Sequence, residues 1–442
     1  MAQMSGPTAP VAASAREAVA ALEEGRARTL ALVAPISEAD LERVHSKLMS
    51  PLVWDLGHIA AFEDLWLVHR FGEVPTLRAD LVEVYDAMET PRSNRGELPF
   101  LRTGEAYEYL ARVRARALEL IDERGAGDLH ELVLRHEQQH NETMLQTIQL
   151  ARLGDWRPPA EHVAPQRPDG VAPTGLELVG VSAGECTIGA RAADEPAEPP
   201  WASFAYDNER PRHRNDLRSF EIGRHAITNA SYLTFVEGGG YERREWWSDE
   251  GWAWKEQYDI TRPAGWTADL GDEWRLGKLE PLHPERPVVH VSWFEADAFA
   301  RSHGVRLPTE VEWEKAATWD QEEREARPYP WGNDPPFPGV HANVDQLAGG
   351  PAPAGAYSAG ASPSGCLGMI GDTWEWTASE FAAYPGFVAY PYREYSEPFF
   401  GTGYKVLRGG SWATRARVAT PTFRNWDFPQ RRQIFSGIRV AQ

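Results

Sequence analysis

The pattern that most restricts this chain is a pair of histidines four residues apart, His136 and His140, inside ELVLRHEQQHNETMLQ. On an α-helix, residues i and i+4 project from one face. Leu129, Leu132, Val133, Met144 and Ile148 fall on the same stripe, so the spacing predicts a helix whose histidine side is also its packed side. A third histidine, His58, lies in PLVWDLGHIAAFEDLWL, in register with Trp54, Phe62 and Leu65. Imidazoles turned into a helical bundle lose their water, and a bound metal ion is the usual compensation. His58, His136 and His140 are therefore the expected metal ligands. Any one of them alone would read as an ordinary, partly buried histidine; three in alignment favour a ligand set.

The flanking sequence predicts the bundle itself. Residues 14–154 read as helical. A first helix covers 14–33, and Ser37-Glu-Ala-Asp40 has the form of a capping box opening a short segment. Further helices run from Leu52 to Phe71, from Glu105 to Arg124 before Gly125, and from a cap at Asp128 to Gly154. Three or four long helices predict an up-down bundle with its metal site between facing helices. The connection from Phe71 to Thr103 is long for a compact domain, which marks it as functional. Residues 155–173, DWRPPAEHVAPQRPDGVAP, read as a Pro-rich linker.

Across 174–442 the texture changes. Strand-like pieces such as LELVGVS and PVVHVSWF are short, and the clearest helices are Asn229–Val236, Trp293–Ser302 and Glu310–Thr318. Residues 348–365 read as a low-complexity loop. Most of the 18 tryptophans lie beyond residue 200, which predicts aromatic clusters in an irregular fold. The whole is an α plus irregular α/β multidomain chain.

Composition excludes several functions. A net charge of -20 leaves no cationic footprint for nucleic acid. No apolar run is long enough to span a membrane, and the first residues lack the pattern of a signal peptide. Two cysteines, Cys186 and Cys366, do not make a disulfide framework and point to a reducing cytoplasm. The expected form is a monomer acting on small molecules. HEQQH also satisfies H-E-x-x-H, so a zinc hydrolase with Glu137 as base is a rival; its third ligand would be Glu161 or His162, both in the Pro-rich stretch. Three neutral imidazoles suit Fe(II) as well as Zn(II), and they leave a dication able to accept an anionic ligand such as a thiolate.

Several long motifs carry a resemblance. RPVVHVSWFEADAFARSHGVRLPTEVEWEKAA at 286–317, PYPWGN at 328–333, GMIGDTWEWTAS at 368–379, VLRGGSWAT at 406–414, AITNASYLTF at 226–235 and the late SGIRVA resemble the formylglycine-generating-enzyme (sulfatase-modifying-factor) domain. This implies a C-type-lectin-like fold over about 170–442. Formylglycine-forming members use a cysteine pair late in the domain, whereas no cysteine follows Cys366, so that activity is not expected.

The first half resembles the DinB-like four-helix domain with its three-His site, and the fusion is similar to the ergothioneine-pathway sulfoxide synthases, the hercynine oxygenases. That resemblance implies Fe(II) on His58, His136 and His140, O2 as co-substrate, and neither flavin nor nicotinamide. It implies Gln139, Asn425 and Trp426 beside N-α-trimethylhistidine (hercynine). It also implies Arg92, Asp427 and Arg431, with help from Arg95, around γ-glutamylcysteine, and catalytic loop tyrosines Tyr392 and Tyr395 in YPYREYSEPFF. The residue types are compatible. A dipeptide with two carboxylates and an ammonium needs arginines and a carboxylate, and a quaternary ammonium is suited to aromatic faces. The alternatives are a relative using free cysteine or a selenium donor, the zinc hydrolase, and a lectin-like binding module.

Overall fold

The helical half is organised by charge as much as by apolar packing. In the computed structural model, which describes residues 15–154, 156–158, 164–165, 175–192, 195, 197 and 199–442, its elements are α1 (Ala15–Val33), α2 (Glu38–Leu41), α3 (Leu52–Glu63), α4 (Thr103–Arg124) and α5 (Asp128–Ala151). Each of the four long helices contributes one charged side chain to a buried square. Arg26 of α1 donates to Glu63 of α3 at 2.7 Å and to Glu137 of α5 at 2.8 Å. Arg114 of α4 donates to the same two carboxylates at 2.6 and 3.0 Å. Thr29 Oγ1 donates to Glu137 at 2.7 Å and accepts from Asn141 Nδ2 at 2.8 Å. The square is neutral overall and buried, so no charge is left without a partner.

Local signals explain the helix ends. Ser37 Oγ accepts from Asp40 N–H at 3.2 Å, as the capping pattern predicts. The chain stays helical from Leu52 to Phe71, but Asp64–Phe71 is a π-helix. Asp64 Oδ2 accepts there from Leu77 N–H at 2.9 Å and from the Tyr109 hydroxyl at 2.8 Å, tying the following loop to the bundle. Asp128 is not the cap of α5. It is the first helical residue, and Gly127 N–H donates to His130 Nδ1 at 2.9 Å instead. Asp128 still favours the helix as a first-turn acid.

Contacts divide the chain into two compact units, Met1–Trp156 with Ala192–Phe204, and Arg157–Arg191 with Ala205–Gln442. Ala192–Phe204 falls with the helical unit, although the sequence reading puts it in the second domain. Arg135 accounts for this: it donates to Trp201 O at 3.1 Å and lies over the Phe204 ring. Most of the expected linker lies outside the described residues.

The second unit has short strands and large buried side chains. Leu178–Val181 pairs with Phe220–Gly223, and Gly184–Ile188 with His213–Leu217, both antiparallel. A four-stranded sheet has the order Asn425–Asp427, Lys405–Arg408, Trp374–Glu380, Ser436–Gly437, with only the last pairing parallel. Helices occupy Asn229–Glu237, Asp249–Gln257, Trp293–Ser302 and Glu310–Thr318. The helix at Asp249, capped by Ser248, was not foreseen. PVVHVSWF is not a strand: Pro287 makes a single bridge to Thr228, His290 has φ of 61°, and Ser292 already caps the next helix. The stretch at 348–365 is more than surface loop, since Ala352, Ala356 and Tyr357 are buried. Trp313, Trp376 and Trp412 are fully buried, as the aromatic composition predicts. Cys186 and Cys366 are buried and unbridged. No helix among the described residues is long and apolar enough to cross a membrane.

The charge square generates a stability prediction. Burial pushes the Glu137 carboxyl up, but Arg26 and Arg114 hold it down at about 2, against an ordinary 4.5. Because the folded group titrates below the unfolded one, its stabilisation is complete above about pH 4.5 and is lost as pH falls towards 2. Glu137→Gln leaves two buried arginines short of an anion and should cost about 3–5 kcal/mol at pH 7. Urea unfolding followed by helical circular dichroism should show the gap between wild type and variant narrowing below pH 4.5. A gap that is absent at pH 7, or that widens with acid, contradicts this account.

Candidate metal centre

Rotation of α5 places the histidines. Glu137 is turned to the charge square, and neighbouring helical residues lie about 100° apart. His136 and His140 therefore sit at the flank of the bundle, not on its fully packed side. Both are half-buried, and only His58 on α3 is buried. The expectation that the histidine face is the packed face is corrected here, because Glu137 and Asn141 take the core side.

Each of the three histidines offers one ring nitrogen, and these atoms lie within 4.8 Å of one another. Nε2 of His58 and Nε2 of His136 are 3.1 Å apart. Two nitrogens about 2.1 Å from one ion at a right angle would be separated by about 3.0 Å, so this spacing fits a facial set of ligands. The rings are held from behind. His58 Nδ1 donates to Tyr85 O at 2.8 Å, which leaves the Nε2 lone pair for a metal. His140 Nδ1 donates to Asp55 Oδ1 at 3.1 Å, and Asp55 is completely buried. His136 lies flat on Phe62 at 3.7 Å, and His58 is stacked on Trp54 at 4.9 Å. Burial, and then the neighbouring His140, push His58 and His136 well below the ordinary imidazole range, so both are neutral donors near pH 7.

The hydrolase reading of HEQQH does not survive this geometry. Glu137 accepts from Arg26, Arg114 and Thr29, and it titrates at about 2. A general base works best with a pKa near the working pH and must reach the reacting proton. Glu161 and His162, its candidate third ligands, lie outside the described residues.

The other expected site residues fall into two groups. In the helical unit, Gln139 is half-buried on α5 next to His140, and half-buried Arg92 opens the 3-10 turn Arg92–Glu97. Arg95 is buried and commits its donors to the bundle: Thr90 O at 2.9 Å, Ser50 Oγ at 2.8 Å and Ala87 O at 3.3 Å. Its guanidinium lies 3.8 Å from the centre of Trp54, the ring that stacks on His58. Burial, then the charge of Arg92, pulls Arg95 down to about 9.

In the second unit, Asn425, Trp426 and Asp427 form one edge strand of the four-stranded sheet. Trp426 lies flat on Phe381 at 4.2 Å, with Phe399 and Tyr395 within 6.0 Å. Arg431 faces Asp427 at 3.4 Å, and its Nε and Nη1 are buried without a hydrogen bond. Tyr395 is stacked on Tyr206 at 4.5 Å, and Tyr392 meets it edge-on at 6.1 Å.

Sequence reasoning missed Asp55. Its signal was there: an acid three residues before His58, on the same helical face, in the otherwise apolar run VWDLGHIAAF. Tyr85 was not legible, because its contribution is a backbone carbonyl in a long loop. The centre predicts a graded response. His58→Ala, His136→Ala and His140→Ala should each abolish retention of Fe(II) added anaerobically, measured by elemental analysis after desalting. Asp55→Ala should weaken it by about 10–100-fold. Full metal occupancy in any of the three histidine variants would remove that residue from the ligand set.

Comparison with known proteins accounts for both halves. The family described as sulfatase-modifying factor enzyme 1-like domain matches residues 165–442, and the DinB superfamily matches residues 21–150. Over 430 residues the chain is 45% identical to the hercynine oxygenase of Mycolicibacterium thermoresistibile, covering 95% of this chain and 93% of that protein. Over 426 residues it is 44% identical to the hercynine oxygenase of Mycobacterium tuberculosis, covering 95% and 97% respectively. The formylglycine-generating enzyme of Thermomonospora curvata is 30% identical over 277 residues, 54% of this chain and 87% of that protein. Only the hercynine oxygenases among these three align through both the helical half and the irregular half, so the chain belongs to the hercynine oxygenase family, with an N-terminal DinB-type helical domain and a sulfatase-modifying-factor domain.

Proposed function

We propose that this oxidoreductase joins the sulfur of γ-glutamylcysteine to C2 of hercynine and leaves that sulfur as a sulfoxide, using Fe(II) and O2 in the cytoplasm. The observation that carries the metal reading is the cluster of three imidazole nitrogens with no carboxylate among them, and relatives that are oxygenases favour iron(II) over zinc as its occupant. Iron(II) bound there supplies the redox chemistry of O2 reduction. The electrons balance without flavin or nicotinamide. Making C–S from C–H and S–H releases two electrons, oxidising the sulfur releases two more, and O2 takes four, ending as the sulfoxide oxygen and water.

The protein's own groups bind and orient. Asp427 suits the ammonium of γ-glutamylcysteine and Arg431 a carboxylate, since the two already face each other and Arg431 has buried donors unused. Arg92 suits the second carboxylate. Arg95 acts behind Trp54, because its donors are committed to the bundle. The ring of Trp426 suits a trimethylammonium, and Gln139 and Asn425 supply amides for the remaining polar groups of hercynine. Tyr392 delivers a proton from its hydroxyl at close range. Tyr395 supports it, because burial and the stacked Tyr206 push its hydroxyl well above the ordinary range.

Two measurements test this reading. Asp427→Ala or Arg431→Ala should weaken γ-glutamylcysteine by about 2–4 kcal/mol, with a smaller effect on hercynine, because a charged partner is left alone. Equal losses for both substrates, or wild-type preference for free cysteine, would overturn the donor assignment. Tyr392→Phe should keep consuming O2 while its product shifts from sulfoxide to the sulfinic acid of γ-glutamylcysteine. Tyr395→Phe should shift less, and the reverse order would show that the roles of the two tyrosines are exchanged.

A further inference from the structure

The loop that carries Tyr392 and Tyr395 is fastened to one short turn. Asp207–Glu209 is a 3-10 turn, and Asp207 is only 3% exposed. Asp207 Oδ1 accepts from Ser396 Oγ at 2.5 Å, and Oδ2 accepts from Tyr390 N–H at 3.4 Å. Asn208 Nδ2 donates to the same Ser396 Oγ at 3.0 Å. Tyr206 lies flat against Tyr395. Three consecutive residues thus hold positions 390, 395 and 396, on both sides of Tyr392.

The turn is itself firmly held. Glu209 accepts from Tyr206 N–H at 2.8 Å and from Thr422 Oγ1 at 2.5 Å. Arg424 donates to Asn208 O at 2.8 Å while paired with Glu310 at 2.8 and 2.9 Å. Away from Tyr395 and Ser396 the loop is largely exposed: Val388 is 77% exposed, Tyr390 is 40% exposed, and Arg393 and Glu394 are exposed. Burying a carboxylate is costly, and burial pushes Asp207 up to about 6. A carboxylate placed there at such a cost, with donors from both sides of one exposed loop, is better explained by the loop's placement than by core stability.

We propose that Asp207, with Asn208 and Ser396, is a positioning clamp that sets where the Tyr392 hydroxyl is presented. The inference rests on the reading of Tyr392 as the proton donor. A loop hydroxyl is effective only when held near its target, and a displacement of about 1 Å can cost about 100-fold in rate.

The test uses the iron-loaded full chain with Asp207→Asn, Ser396→Ala and Tyr392→Phe in parallel. Hydrogen exchange across 388–398 reads the clamp itself. The ratio of sulfoxide to sulfinic acid at saturating substrates reads its purpose, and partial unfolding would leave that ratio unchanged. The clamp predicts about 10-fold faster exchange in this segment for Asp207→Asn and Ser396→Ala. It also predicts a product shift in the direction of Tyr392→Phe, with substrate KM values little changed. If Asp207→Asn does not fold, Ser396→Ala carries the same two readouts. Unchanged exchange overturns the clamp whatever Tyr392 does. Faster exchange with an unchanged ratio, while Tyr392→Phe shifts it, overturns its link to the chemistry. An unchanged ratio in Tyr392→Phe overturns the tyrosine reading, and the purpose of the clamp with it.

Discussion

The helical unit depends on the buried square of Arg26, Glu63, Arg114 and Glu137. Each corner comes from a different long helix, and each arginine bridges both carboxylates. Such a network adds little net stability over a well-packed apolar core, because every charge must be taken out of water. It does add register. Sliding or rotating any one helix would leave a buried charge unpaired, at a cost of several kcal/mol. With Glu137 fixed in the square, His136 and His140 are carried to the flank of α5, facing His58 on α3. The charge square therefore decides where the three histidines point, although none of its members belongs to their cluster.

Around the three histidines, support comes from residues whose own positions are determined. Asp55 holds His140, the Tyr85 carbonyl holds His58, and Phe62 backs His136. The long loop after α3 takes part twice. It supplies Tyr85, and it supplies Arg95, which packs against Trp54 next to His58. Its unusual length is thus explained by what it contributes behind the histidines.

The second unit solves a different problem. With short strands and few helices, it relies on buried arginines paired with glutamates: Arg424 with Glu310, Arg439 with Glu375, and Arg408 with Glu314. These pairs join segments distant in sequence. Arg424 also holds the turn that grips the tyrosine loop, so the same device that stabilises an irregular fold passes its rigidity to an exposed segment.

By itself, the sequence determined the helical bundle, the three histidines and the division into two textures, because these depend on local periodicity and composition. Leu52–Phe71 is continuously helical, and the helices Trp293–Ser302 and Glu310–Thr318 fall where their caps and spacing put them. The long motifs of the second half carried the family. Only the tertiary structure decided the rest. PVVHVSWF has strand composition, yet it meets no partner strand along its length. HEQQH reads as a hydrolase motif until Glu137 is seen paired with two arginines from other helices. Arg92 and Arg95 look alike in sequence, but one is half-buried and the other is locked behind Trp54. Asp207 offered no signal in YDNERP, because its partners lie almost 190 residues away in the chain. Periodicity reports which face of an element is packed; it cannot report which distant groups meet there, and that depends on charge pairing and hydrogen bonding between segments far apart in sequence.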